Sequence, residues 1–342
     1  MTIAGQRRQH PTPTLHRRII AAAVGYPVAL LLLVALLRWV GERWWLTTVG
    51  LYLPRVLFAL PLPALSWWLW RRGPRRWLAS QVVSVLVLVF PLGGFVLPGP
   101  VRRDPRAPTV RVLSYNVMHA YAGPQRIIEE IERFAPDVVL LQKLVANQEE
   151  LGRLLRARYP HVELSWASAV ASRFPILSRH DPDQPLAADV SAQSRFTRRV
   201  IATPLGPVAF YNAHPSSPRD GLVAVASLKR GALALLERET AWRAAQVGRL
   251  AARARTESVP VVIAGDTNLP ALSPLLRAAL GRYHDGFEAA GWGFGWTYPR
   301  NVFSWMRIDR VMTSDALRVV RFQRGDSAAS DHRAVVADLQ RP

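Results

Sequence analysis

The chain has 342 residues, half of them hydrophobic, so it can bury a sizeable core, and its length allows about two domains. Its formal charge of +20 is uneven: residues 1–106 hold 14 arginines against Glu42 and Asp104, a net +12, and the remainder carries a net +8. Cysteine is absent, which excludes disulfides and thiolate metal sites, and Lys143 and Lys229 are the only lysines beside 42 arginines.

Ile19 to Leu37 is a run of 19 residues without a charge, close to the ~20 needed to cross a bilayer core. A second apolar run, residues 44–70, is interrupted by Arg55 and three prolines, and a third, residues 77–97, has no charge. Three membrane spans are expected, at about 19–37, 44–70 and 77–97. A cleaved signal peptide is the alternative for the first run, but its apolar part is long and two more runs follow. Seven of the 12 tryptophans lie between Trp39 and Trp77, mostly at the ends of these runs, as in an interfacial belt.

Arg7, Arg8, Arg17 and Arg18 precede the first run, and the second loop reads RRGPRR (Arg71 to Arg76), whereas the first loop has Arg38 and Arg43 beside Glu42. The positive-inside rule puts the tail and second loop in the cytoplasm and everything after the third span outside. An integral protein of the bacterial plasma membrane type, with an extracytoplasmic C-terminal domain, is expected. Arg102, Arg103 and Arg106, just after the third span, weigh against that orientation.

Residues 98–108, PGPVRRDPRAP, read as a linker between the membrane region, 1–97, and a domain spanning 109–342. In that domain VRVLSYN, DVVLLQ, RRVIATP, PVAFYNAH, VPVVIAGD, RIDRVMT and HRAVVADL read as strands. Gln125 to Phe134 reads as a helix with Ile127, Ile128, Ile131 and Phe134 on one face, and a long helical pattern runs from about Ala226 to Arg255. Strands alternating with helices predict one α/β or α+β domain.

Polar residues cluster where the apolar runs stop. Asn116, His214, Asp266 and Asn268 end strands, Asp309 lies in RIDRV, and Asp331 and His332 precede the last strand. Each alone fits a turn residue, because Asn and Asp bond the local backbone. Together they supply what phosphate ester hydrolysis needs: oxygens for a hard divalent cation, an Asp–His pair for proton transfer, and Asn or His donors for phosphate.

The segments LSYNV, PDVVLLQK, ASRFPI, YNAHPSSP, VIAGDTN, GWTYP, RIDRVMTS and SDHRAV, in this order over about residues 109–340, resemble the endonuclease/exonuclease/phosphatase superfamily. That group contains deoxyribonuclease I-like nucleases, neutral sphingomyelinases and inositol polyphosphate phosphatases. The resemblance implies a four-layer α/β sandwich, two packed mixed β-sheets flanked by helices, with the active site at one end of the sheets. It also implies that Asn116 and Asp331 help hold a divalent metal, usually Mg or else Mn. Asp266 would then activate the attacking water, Asn268 and His214 bind the phosphate, and His332, held by Asp309, contact the phosphate or share in proton transfer.

Lys143 departs from that pattern, because the family has its principal metal-binding glutamate at this position. A unit charge pair at ~4 Å and an effective dielectric of ~20 is worth ~4 kcal/mol, and a divalent ion roughly doubles it, so a Glu-to-Lys change turns strong attraction into comparable repulsion. Metal binding is expected to be weakened, or absent if Lys143 is the natural residue. No nearby acid is an obvious substitute, since Glu149 and Glu150 fall in the next helix pattern. Three readings stay open: an enzyme with altered metal use, a catalytically impaired pseudoenzyme that binds phosphate ligands, and a substitution introduced into an ordinary enzyme. In the second, the ammonium contacts phosphate directly.

The +8 charge of the domain, with Arg195, Arg198 and Arg199, suits a polyanionic phosphodiester, lipid-linked or nucleic acid, and a solvated basic face is the alternative. Trp292, Phe294, Trp296 and Tyr298 fit either a contact with a base or acyl chain, or core packing. No nucleotide cofactor is expected, and oligomeric state is not readable from the sequence.

Overall fold

In this computed structural model, residues 13–97, 99–101, 103–181, 195–300, 304–326 and 328–342 are described. The expected N-terminal arginines Arg7 and Arg8, and Pro98 and Arg102 of the linker, lie outside them. The chain divides into two compact units: the residues up to Leu36 with Leu53–Gly93, and Leu37–Tyr52 with Gly94–Pro342.

The helices before residue 97 are α1 (Pro13–Ala35), α3 (Pro61–Arg72) and α4 (Leu78–Val87), in the first unit, and α2 (Trp45–Tyr52), in the second. Among the described residues, two helical stretches are long and apolar enough to cross a membrane, Thr14–Arg43 and Arg75–Leu92. The run expected as a single second span is broken: the helical segments Trp45–Tyr52 and Arg55–Arg72 meet at 97°, so the total is three only if this bent pair counts as one. Pro54, with no N–H and a ring that disfavours helical backbone at Leu53, sits at the break. Within the first unit, Gln81 and Ser80 on α4 donate to the Ala23 carbonyl of α1 at 2.8 and 3.1 Å, the kind of polar link that joins helices in lipid.

The second unit is a sandwich. Its strands are β1 (Val110–Asn116), β2 (Val138–Gln142), β3 (His161–Ser165), β4 (Ser168–Ser172), β5 (Ile176–His180), β6 (Phe196–Thr203), β7 (Gly206–Ala213), β8 (Val261–Asp266), β9 (His284–Asp285), β10 (Asp309–Thr313), β11 (Arg318–Arg324) and β12 (Val335–Gln340). One sheet has the order β11-β12-β1-β2-β4-β3 and the other β5-β6-β7-β8-β10-β9. Both are mixed, because β1–β2 and β7–β8 are parallel while their other neighbours run antiparallel.

Helices α5 (Pro124–Phe134) and α6 (Gln148–Arg156) pack on the first sheet through Ile127, Ile131, Leu151 and Leu155. Between the sheets lie Val112, Leu140, Phe210, Val262, Val311 and Val335, drawn from both. The long helical pattern is α8 (Ala232–Arg255), which starts at Ala232 rather than Ala226 because Leu228 and Gly231 take left-handed backbone conformations, and a short α7 (Arg219–Ala226) precedes it. Helix α8, with α9 (Pro274–Leu280), covers the second sheet through Val247, Leu250, Ala254 and Leu276, and the short α10 (Gly286–Ala290) follows β9. Four layers result, as the family resemblance implied.

Strand direction decides where the polar residues meet. The parallel pairs put the C-terminal ends of β1 and β2 together, with Asn116 opposite Gln142, and those of β7 and β8 together, with Ala213 opposite Gly265. Strand β10 runs back beside β8 with Asp309 opposite Asp266, and β12 runs back beside β1 with Val335 opposite Ser114. The starts of β10 and β12 therefore join the same end. Gly265 has a φ of +147°, and a Cβ there would stand 1.9 Å from the Ala213 carbonyl oxygen, so only glycine lets β7 and β8 approach this closely just before Asp266.

Candidate active site

A cavity of about 640 Å³ opens at this end, lined among others by Asn116, Lys143, His214, Asp266, Asn268, Asp331 and His332. Seven of the eight residues singled out in the sequence thus face one space. The eighth, Asp309, lies behind His332, with both its oxygens 3.0–3.1 Å from Nδ1 of that imidazole.

The three ionisable groups Asp309, His332 and Asp266 form an array. On the far side of the His332 ring, Nε2 lies 3.7 Å from Asp266 Oδ2, 4.0 Å from Asp331 Oδ1 and 3.3 Å from Asn116 Nδ2. Asn116 donates to Asp266 Oδ2 at 2.9 Å, and its own Oδ1 accepts from the Met118 N–H at 3.1 Å. Ser330 donates to the Asn116 carbonyl at 2.7 Å and receives the His332 N–H at 3.2 Å, which ties the loop before β12 to β1. Tyr298 lies against the imidazole face with ring centroids 4.6 Å apart. Asn268, with φ of 50°, donates its N–H to Asp266 Oδ1 at 2.9 Å and its amide to the Pro215 carbonyl at 2.9 Å.

Burial and charge set the protonation states. Burial raises Asp266 to about 6; the Asp309 carboxylate adds to this, while His332 and the hydrogen bonds from Asn268 and Asn116 oppose it. For His332, burial alone would lower the imidazole, but the Asp309 and Asp266 carboxylates outweigh it and raise it to about 9. His214, 3.7 Å from Asp266 Oδ2, goes the other way, to about 3, through burial and the charges of His332, Arg195 and Lys143. At neutral pH the cavity thus faces an ionised Asp266, an imidazolium at His332 and a neutral imidazole at His214.

Lys143 has left-handed backbone with φ of 57°, and its carbonyl accepts the His119 N–H at 2.8 Å. Burial and the Lys143 charge both lower His119. Sequence reading passed over His119 because it falls beyond a strand end, in a turn without a motif. The three arginines separate: Arg198 is bound to Glu257 at 2.6 Å, and Arg199 is buried in ion pairs with Glu163 and Asp181. Arg195 alone of the three lines the cavity, its guanidinium 5.1 Å over the exposed ring of Trp166. Glu149 and Glu150 sit in the first turn of α6, exposed and outside the cavity lining. Of the aromatic segment only Tyr298 reaches the cavity, whereas Trp292 is exposed and Phe294 stacks on Trp296.

Asp266, Asp309 and His332 bring one ligand atom each within 4.8 Å of one another, all buried. A Mg or Mn ion, however, takes a near-octahedral shell of oxygens. Asp309 turns both oxygens to His332, Asp266 accepts on both of its own, and Asn116 presents its NH₂ to the site with its oxygen held by Met118. Of the residues expected to hold the metal, only Asp331 offers a carboxylate, and Lys143 adds a cation. With a lysine where the family has a carboxylate, this donor set does not fit a divalent ion.

The chain matches the family model described as Endonuclease/Exonuclease/phosphatase family over residues 113–332. No curated protein matches. Similar solved structures include an endonuclease/exonuclease/phosphatase family protein from Bacteroides thetaiotaomicron, 16% identical, covering 69% of this chain and 99% of that one with a TM-score of 0.52. TDP2 from Caenorhabditis elegans is 15% identical and covers 99% of this chain and 98% of that one, also at 0.52. These likenesses concern the fold.

The array makes its own prediction. A raised His332 stabilises the folded state below the ordinary imidazole value of about 6.5, and that stabilisation is lost as pH rises through about 9. Asp309→Asn removes the largest raising charge, so the His332 titration, followed by NMR of the labelled imidazole, should drop from about 9 to below about 7. A His332 that still titrates above about 8 in the variant would show that Asp309 does not hold the proton.

Proposed function

Because the chain belongs to the endonuclease/exonuclease/phosphatase family, we propose that it is a membrane-anchored phosphoesterase that hydrolyses a phosphodiester by attack of water on phosphorus. The observation that carries this reading is the buried Asp309–His332–Asp266 array at a cavity that Lys143, His214 and Arg195 also line. Asp266, ionised above about pH 6, is a base matched to neutral pH and takes the proton of the attacking water. His332 carries a proton on Nε2 when charged, and that N–H contacts the entering phosphate and is given to the leaving alcohol oxygen as its P–O bond breaks. Neutral His214 donates without adding charge, and Asn268 fixes the orientation of Asp266.

Lys143 stands where the family's metal-binding glutamate stands, and the ammonium supplies positive charge beside the phosphate as a point-charge ligand. No step here runs through a metal. The same lysine favours a second reading, a phosphate-binding module with little or no turnover. Hydrolysis of bis(p-nitrophenyl) phosphate by the full chain, lost to background in Asp266→Ala, supports the enzyme, and phosphate binding without turnover supports the module. Lys143→Glu should bring divalent-metal binding into reach, with Mg or Mn affinity strengthened at least tenfold by calorimetry, because it removes a repulsion of several kcal/mol. A variant that binds no more metal than the parent would sink the substitution argument.

The segment after Leu97 is proposed to lie outside the cytoplasm, which takes three crossings: the apolar helices 14–43 and 75–92 and, as the third, the broken run between them, so that lipid-linked phosphates and extracellular nucleic acid are both within reach. The arginine asymmetry of the first two loops supports that orientation. A reporter fused after Ala107 should be active only outside the cytoplasm, and activity confined to the cytoplasm would reverse the topology.

A further inference from the structure

The segment Leu37–Tyr52, which the sequence places between two apolar runs, belongs to the same compact unit as the sandwich. It meets the loop that follows β8 at two points. Tyr52, 7% exposed, donates its hydroxyl to the Asn268 carbonyl at 2.9 Å. Glu42, buried, accepts from the Ser273 hydroxyl, and Ser273 in turn caps α9 by accepting the Leu276 N–H at 3.1 Å. Asp266 and Asn268 lie at the start of the braced loop and Ser273 at its end.

Tyr52 is itself held. Trp305 donates Nε1–H to the Tyr52 carbonyl at 3.0 Å, and the buried Arg243 guanidinium lies 6.0 Å over the phenol ring. At the other end of the segment Arg277 of α9 donates to the Arg38 carbonyl at 2.5 Å. The brace bears on a strained point, because Asn268 has left-handed backbone while its N–H orients Asp266 and its amide reaches Pro215. A non-glycine residue in that conformation stays there only where its surroundings over-determine it.

We propose that the segment 37–52 is a brace for the active-site loop 266–273, and that Tyr52 is a positioning residue that fixes Asn268 and through it the Asp266 carboxylate. The link makes activity depend on a piece of chain whose two ends run into the membrane region. The kinetic side of this proposal rests on the phosphoesterase reading, whereas the ordering of the loop does not.

The test uses the full chain in detergent, comparing Tyr52→Phe, which removes only the hydroxyl, with Thr48→Val, which removes a bond inside α2 from Thr48 to the Trp44 carbonyl. Hydrogen–deuterium exchange should show residues 266–273 exchanging at least tenfold faster in Tyr52→Phe and unchanged in Thr48→Val. With bis(p-nitrophenyl) phosphate, Tyr52→Phe should lose about tenfold in kcat with KM within twofold and an unchanged melting temperature, the signature of one misplaced group rather than weakened binding. Unchanged exchange in the loop overturns the proposal, as does a parental kcat in spite of faster exchange. Equal losses in Thr48→Val also overturn it, since they would mark a general loosening of α2. Faster exchange in a protein whose parent shows no turnover leaves the brace standing and rejects the phosphoesterase reading instead.

Discussion

The open end of the sandwich is organised by the need to keep Asp266, Asp309 and His332 buried and in contact. Removing one partner from a buried ionic group strands the others without compensation, at a cost of about 3–5 kcal/mol, so such a group persists only where its remaining hydrogen bonds are met. The surroundings meet them: Asn116 and Asn268 donate to Asp266, and Asp309 takes the Nδ1 side of His332. Ser330 anchors the His332 backbone, and Tyr298 covers one face of the ring. Two sheets contribute, β8 and β10 from one, β1 and the approach to β12 from the other. The array can therefore form only when the sheets are packed, which makes the chemistry a property of the whole sandwich.

The same cavity is lined by two cations, Lys143 and Arg195, and by two imidazoles, His119 and His214, that burial and the neighbouring positive charges lower. A glutamate at position 143 would face the same space as Asp331 and Asp266 and would call for a cation between them. A lysine there supplies the positive charge itself. The loop carrying Asp266 and Asn268 is further held from outside the sandwich by Tyr52 and Glu42.

The seven strands read from apolar runs all exist, and the strand ends they gave carry the site, because buried parallel strands write an unbroken apolar signature with a polar residue at the stop. The other five strands left no such mark: β3 is half-buried throughout, β4 is a short SAVAS, β5 is mostly exposed, β9 has two residues, and β11 breaks its apolar positions with Arg318, Arg321 and Arg324. The start of α8 was read too early because Leu228 is an ordinary helix former that here takes left-handed backbone, and the short α7 was not read. His119, Tyr52 and Trp305 escaped for a different reason. Their place in the cavity comes from tertiary packing across long sequence separations, 216 residues in the case of Tyr52 and Asn268, and no local pattern encodes that. Conversely, Arg198 and Arg199 looked like free cations and are taken up in ion pairs with acids that only the fold brings near.

The claim that a buried carboxylate–imidazolium array performs the chemistry is tested most directly by the pH dependence of kcat for phosphodiester hydrolysis. Asp266 must be ionised to accept a proton, so the rate should fall as pH drops through about 6. His332 must be protonated to donate, so the rate should also fall as pH rises through about 9, giving a bell with its plateau between these values. A rate that keeps climbing above pH 9, as attack by free hydroxide would give, or an acid limb that survives in Asp266→Asn, would contradict the account.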